Sequence, residues 1–175
     1  MMSLVIVETV TEQPMTDAYL EEADQLALPC LEAHNVTWLH SLLSSDRHQM
    51  ICIFDAPDAM SVRNSYAKLG LQKYAIWAGE IIQSEDIQPL PELAEHSVIK
   101  VHDPTSSETN WNEAQQKFSQ CCVAHGINWL RAYVSLDRTR TIYEFMTPDV
   151  ESLRNIQHQV NLSCDGIWSG QLLIP

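Results

Sequence analysis

Positive charge is scarce in this chain of 175 residues: ten Lys+Arg stand against 23 Asp+Glu, a formal net charge of −13. Phosphate backbones and anionic lipid repel so acidic a surface, which argues against nucleic-acid and membrane partners. No apolar run approaches the roughly 20 residues of a membrane span. Glycine is sparse too. The five glycines, at positions 70, 79, 126, 166 and 170, form no phosphate-cradling loop, and neither H-E-x-x-H nor G-x-S-x-G occurs. The first residues, Met1 to Glu8, lack a basic leader and read as a strand rather than a signal peptide. Cys30, Cys52, Cys121, Cys122 and Cys164 are an odd number of thiols. Free cysteines in a reducing cytoplasm are therefore expected rather than a disulfide framework.

What is present is a duplication. Cys30-Leu-Glu-Ala-His34-Asn-Val-Thr-Trp38-Leu-His40 aligns with Cys121-Cys-Val-Ala-His125-Gly-Ile-Asn-Trp129-Leu-Arg131 at a fixed offset of 91 residues. The same offset pairs Ser44-x-Asp46-Arg47 with Ser135-x-Asp137-Arg138 and Ile76-Trp77-x-Gly79 with Ile167-Trp168-x-Gly170. The match is too long for a solenoid repeat and marks a duplicated domain. The reading is a first copy over 1–82, an acidic Pro-containing linker over 83–96 and a second copy over 97–175.

Each copy reads strand, helix, strand, strand, helix, strand. β-Branched runs at Leu4–Glu8 and Val98–Val101 predict strands, and apolar residues from Leu20 to Leu31 fall on helical spacing, with Pro29 inside that helix. Val36–Ser44 and Ile51–Asp55 predict a hairpin. Asp58 and Asp149 are the N-caps expected for the second helices. This is the split βαβ plan, giving an α+β class of two tandem ferredoxin-like βαββαβ domains. Strict alternation puts Trp38, His40 and Leu42 on one sheet face, with Trp129, Arg131 and Tyr133 as their mates. That face is expected to lie away from the helices, where its tryptophans need cover, so the two sheets are expected to pack face to face as an intramolecular pseudo-dimer.

The run Trp38-Leu-His40-Ser41-Leu-Leu-Ser44-x-Asp46-Arg47, then Cys52 to Arg63, Gly70 and Trp77, resembles the small nickel-binding-protein-like domains. The resemblance covers nearly all of the first copy and, more weakly, the second. It implies a ferredoxin-like fold that dimerises, here replaced by the duplication, and surface nickel binding with a sequestration role in at least one relative. Many relatives carry a histidine where this chain has Ser65 and Ile156, and the second copy has Arg131 for His40 and Tyr143 for Cys52.

Across the hairpin, His40 and Cys52 form a candidate metal pair if Trp38 sits opposite Phe54, since imidazole and thiolate suit nickel or another divalent transition metal. Trp38, His40, Cys52, Phe54, Trp129, Arg131, Tyr133 and Tyr143 are the candidate ligand-binding set, with Arg131 alternatively paired to Glu144. His34 and His125 read as helix-end residues. The leading expectation is a cytoplasmic, non-enzymatic binding protein that binds or sequesters a metal ion. One alternative is a small-molecule binder or cofactor-free enzyme using a cavity between the sheets. Another is a structural subunit docking a protein partner. A monomeric pseudo-dimer or a higher homo-oligomer fits these readings.

Overall fold

The structure is a computed structural model that describes residues 1–70, 74–83, 95–127, 129–146 and 150–175. The first repeat contains β1 (Ser3–Val10), α1 (Asp17–Ala33), β2 (Thr37–Ser44), β3 (Gln49–Ala56), α2 (Ala59–Tyr66) and β4 (Tyr74–Gln83). The second contains β5 (Glu95–His102), α3 (Glu108–Ala124), β6 (Trp129–Ser135), β7 (Arg140–Phe145), α4 (Val150–Gln159) and β8 (Cys164–Leu173). The chain is thus βαββαβ written twice, the α+β tandem class expected from the sequence. The strand orders are β4-β1-β3-β2 and β8-β5-β7-β6. One compact unit comprises Met1–Gly79 with Leu172–Pro175, and the other comprises Glu80–Gln171. Most of the expected linker, at 84–94, and the expected N-cap Asp149 lie outside the described residues.

Local chemistry sets the element ends. Thr16, Ser107 and Asp58 hold extended backbone and accept from the amides of Tyr19, Asn110 and Ser61, which satisfies an orphan donor at each helix start. α1 and α3 stop at equivalent points, where Asn35 and Gly126 take the left-handed conformation at φ 57° and 68°. Pro29 stays inside α1; it has no N–H to give the Gln25 carbonyl.

The hairpin turns repeat atom for atom. Ser44 Oγ donates to Asp46 at 2.6 Å and Ser135 Oγ donates to Asp137 at 2.7 Å. Each serine oxygen also accepts an amide from across the turn, from Gln49 at 3.0 Å and Arg140 at 2.9 Å. Arg47 and Arg138 follow at φ 63° and 64°. Arg47 donates to the Met15 carbonyl at 2.5 Å and pairs with Asp17 at 2.6 Å, tying the turn to the start of α1. Arg138 pairs with Glu80 and lies over the Trp111 ring, 5.3 Å from its centroid. These arginines are structural pins.

The helices cover one face of each sheet. In unit 1 that face carries Val5, Val7, Cys52 and Phe54 beneath Ala27, Leu31, Val62 and Tyr66. In unit 2 it carries Ile99, Ala132, Val134, Tyr143 and Phe145 beneath Trp111, Phe118, Cys122, Leu153 and Ile156. Trp38 and Trp129 pack against these clusters, which corrects the expected parity. The register shifts between Trp38 and His40, and again between Trp129 and Arg131. One inserted residue in each strand, Leu39 or Leu130, inverts the alternation beyond it. The tryptophans on the opposite faces are Trp77, paired with Ile6, and Trp168, paired with Val98.

Hydrogen bonds from Ser135 and from Thr139 pull the Asp137 carboxyl down to about 2. A folded pKa below the unfolded value of roughly 3.9 gives stability that is full above that value and lost as pH falls toward 2. Asp137→Ala should therefore be less stable than the native chain at pH 7. In urea melts the gap should narrow as pH drops below about 4.

Candidate functional site

In unit 1, α1 and α2 do not close completely on the sheet. A cavity of about 80 Å³ remains, walled by Leu20, Ala27, Leu31, Met50, Phe54 and Leu69. An outer groove of about 580 Å³ shares Leu20, Asp24, Leu28, Trp38 and Leu173 with it and adds Asp17, Glu21, Gln25, Pro29 and Ile174. Groove and cavity adjoin along their shared residues, Asp24 and Trp38 among them.

A row of polar groups crosses the cavity floor. Trp38 Nε1 donates to Ser41 Oγ at 2.9 Å, and the Cys52 thiol is in hydrogen-bonding contact with both Ser41 and Tyr66. Ser41 and Trp38 share this face because of the bulge, which sets Ser41 rather than His40 opposite Cys52. Burial, reinforced by the Asp24 charge, pushes the Cys52 thiol up. Burial also drives the Tyr66 phenol well above its ordinary value, with Cys52 and Asp24 adding to the shift. Both groups stay protonated at neutral pH. Partial burial raises the Asp24 carboxyl, so a carboxylate of increased basicity lines the same cavity as a row of neutral hydrogen-bonding groups.

The expected metal pair is not brought together. Trp38 does sit opposite Phe54, but beyond the bulge His40 pairs with Ile53 while Cys52 pairs with Ser41. The imidazole and the thiol therefore project from opposite faces. Among the described residues no three His, Cys, Asp or Glu side chains gather as a metal site. Of the eight candidate ligand residues, Trp38, Cys52 and Phe54 line the unit 1 cavity. Tyr143 lines a second cavity, of about 280 Å³, in unit 2. Trp129 stands edge-on to Tyr143 with ring centroids 6.4 Å apart. The phenol of Tyr143 donates to Gln115 at 2.6 Å, and Trp111 in the same wall donates to Thr141 at 2.8 Å.

Arg131 and Tyr133 face the other way, onto a fully buried carboxylate. Arg131 Nε lies 2.7 Å from Glu144, the Tyr133 hydroxyl donates to it at 3.0 Å, and His96 Nδ1 meets it at 2.7 Å. Burial opposes the Arg131 charge, but Glu144 outweighs it and raises the guanidinium pKa. Burial and the Glu144 charge push the Tyr133 phenol well up. The first copy has no such cluster: Ile53 pairs with His40 where Glu144 pairs with Arg131, and Leu4 stands opposite Gly79 where His96 stands opposite Gly170. Sequence reasoning assigned His96 to the linker. It also left out Asp24, Ser41 and Tyr66, which read as ordinary helix and strand positions. The signal for the cluster lay in the repeat itself, where a carboxylate replaces an isoleucine in a central strand.

Over nearly its whole length the chain has the fold of several solved proteins. It matches chlorite dismutase from Candidatus Nitrospira defluvii in complex with imidazole at 11% identity, over 98% of this chain and 91% of that one, with a TM-score of 0.54. It matches a heme-binding protein from Thermus thermophilus at 8% identity, over 99% and 92%, with a TM-score of 0.51. An anthrone oxidase-like protein matches at 12% identity, over 99% and 91%, with a TM-score of 0.52. At these identities the likeness shows the fold. In sequence, the family model described as "Nickel responsive protein SCO4226-like" matches residues 5–78, within the first repeat. No curated protein matches the chain. The expectation of a non-enzymatic, metal-sequestering protein is corrected by the structural likenesses, because chlorite dismutases with this fold are enzymes.

Two outcomes follow from the geometry. Glu144→Ile should cost about 3–5 kcal/mol, because it leaves Arg131 and His96 buried without their acceptor. Adding His96→Leu and Arg131→His, the residues of the first copy, should recover most of that loss in denaturant melts. In calorimetry with nickel, the double variant His40→Ala/Cys52→Ser should bind no more weakly than the native chain.

Proposed function

We propose that the chain is an enzyme acting by proton transfer on a small, mainly apolar organic molecule held in the cavity and groove of unit 1. One observation carries this reading: Asp24, an exposed carboxylate whose pKa partial burial raises, lines the same apolar cavity as the protonated Tyr66 and Cys52 and the Ser41 hydroxyl. Asp24 is the proton acceptor. Tyr66, held neutral by burial, donates a hydrogen bond to a carbonyl or phenolic oxygen of the ligand and stabilises charge that develops there. The inner cavity suits the reacting end of the ligand, and the apolar remainder lies in the groove beside Leu28, Pro29 and Ile174, with Asp17 and Glu21 on the same lining disfavouring an anionic ligand. The match to an anthrone oxidase-like protein supports an enzyme acting on an organic substrate.

The solved structures also raise the question of haem, which needs a histidine, thiolate, thioether or phenolate at the iron. Among the described residues no histidine lines either cavity, and the thioethers present, Met15 and Met50, come without a histidine to complete an axial pair. Cys52 and Tyr66 are kept protonated, and a cavity of about 80 Å³ is far too small for a macrocycle. These residues do not fit a haem. Nickel, implied by the family model, likewise finds no grouped ligands among the described residues.

Acetophenone, an apolar ketone with exchangeable α-protons, tests the reading. Its loss of α-proton signal in D2O, followed by NMR, should be accelerated by the native chain. Asp24→Asn should reduce that acceleration by about 10²–10⁴-fold, the range of a general base, and Tyr66→Phe should reduce it less. Because burial raises the Asp24 pKa, the rate should fall off on the acid side at a pH above the usual carboxylate value. A native rate equal to that of buffer, or an unchanged Asp24→Asn variant, overturns the proposal.

A further inference from the structure

The Glu144 cluster in unit 2 has an unfinished end. His96 is 1% exposed; its Nδ1 meets Glu144 at 2.7 Å, yet its Nε2 is buried with no hydrogen-bond partner among the described residues. Trp168 Nε1 is buried and unpartnered in the same way. The two side chains belong to alternate rungs of the β5–β8 ladder, where His96 pairs with Gly170 and Trp168 with Val98. That puts them on the same face as diagonal neighbours, within reach of each other for side chains of this length. The first copy shows what changed. There the equivalent indole, Trp77 Nε1, donates to Glu8 at 2.9 Å. In the second copy Lys100, opposite Gly166, stands where Glu8 stands opposite Ala75, so the acceptor is gone.

A carboxylate only accepts, so His96 donates to Glu144 from Nδ1, and in that tautomer Nε2 carries a lone pair. The indole can only donate. A buried donor or acceptor left unsatisfied loses its solvation with nothing in return. A guest that serves both must accept one hydrogen bond and donate another, which is the chemistry of a hydroxyl group.

We propose that His96 Nε2 and Trp168 Nε1 form a buried binding site for a single hydroxyl group, either a water molecule or the hydroxyl of a small alcohol. Glu144 orients the imidazole by the logic of a carboxylate–histidine pair, so the far nitrogen takes hydrogen-bond density from the guest O–H. The site is independent of the unit 1 cavity and of the reaction proposed there.

A high-resolution crystal structure of the full chain tests it. The expected result is one oxygen within about 2.7–3.2 Å of both nitrogens. Crystals soaked in methanol separate the two sources: a methyl group on that oxygen identifies an alcohol-accepting site, and an unchanged oxygen identifies a water site. His96→Leu, which installs the first copy's residue, should empty the site. In solution it should also shift the Trp168 indole N–H resonance and speed its exchange with solvent. A native structure with no such oxygen, or an oxygen that persists unchanged in His96→Leu, overturns the proposal.

Discussion

Side-chain placement around β2 and β6 depends on one inserted residue per repeat. Leu39 and Leu130 sit at the register shifts. Because strand alternation has a period of two, a single bulge sends every later residue to the other face. Ser41 thereby joins Trp38 and Cys52 over the cavity, and His40 is turned away from them. In the second copy the same shift turns Arg131 and Tyr133 onto Glu144. The cavity floor of unit 1 and the charged cluster of unit 2 both follow from this backbone irregularity. The repeats share it although the residues it redirects differ.

The copies have kept their scaffold and diverged in what they bury. Turn serines, turn aspartates, left-handed arginines, helix-end histidines and N-caps recur with closely matching geometry. These contacts are local, and each repeat needs them to close its own hairpin and helices. The sheet faces away from the helices are under no such constraint. In the first copy Leu4, Ile53 and Leu42 make that face apolar beside His40, while in the second His96, Glu144 and Tyr133 stand at those positions beside Arg131. Replacing apolar burial by a buried ion cluster seldom increases stability, so the exchange points to a role other than holding the fold.

The two helix-covered cavities differ in the same spirit. The unit 2 cavity is larger, yet wall groups such as the Trp111 indole and the Tyr143 phenol are already hydrogen-bonded to protein. The unit 1 cavity is small and apolar, but it adjoins a groove and is lined by a carboxylate of raised pKa as well as by protonated donors. Pockets that bind small molecules combine apolar walls with a few convergent polar groups, and unit 1 meets that description better.

Duplication, element order and fold class could be read from the residues because they are written in periodicities, N-caps and turn signals, all local quantities. Trp38 opposite Phe54 was also legible, and so was the pairing of Arg131 with Glu144 as one alternative. The faces beyond Leu39 and Leu130 were not. A bulge leaves no mark in a hydrophobic pattern that alternates plausibly in either register, so His40 and Cys52 looked like neighbours. His96 looked like linker because it is a polar residue at the start of its strand, and its burial depends on a carboxylate 48 positions away. Asp24 is an exposed acid of α1 with no motif around it. Only the packing of that helix over the sheet set it at the edge of an apolar cavity, because partial desolvation is a property of the assembled surroundings rather than of the residue.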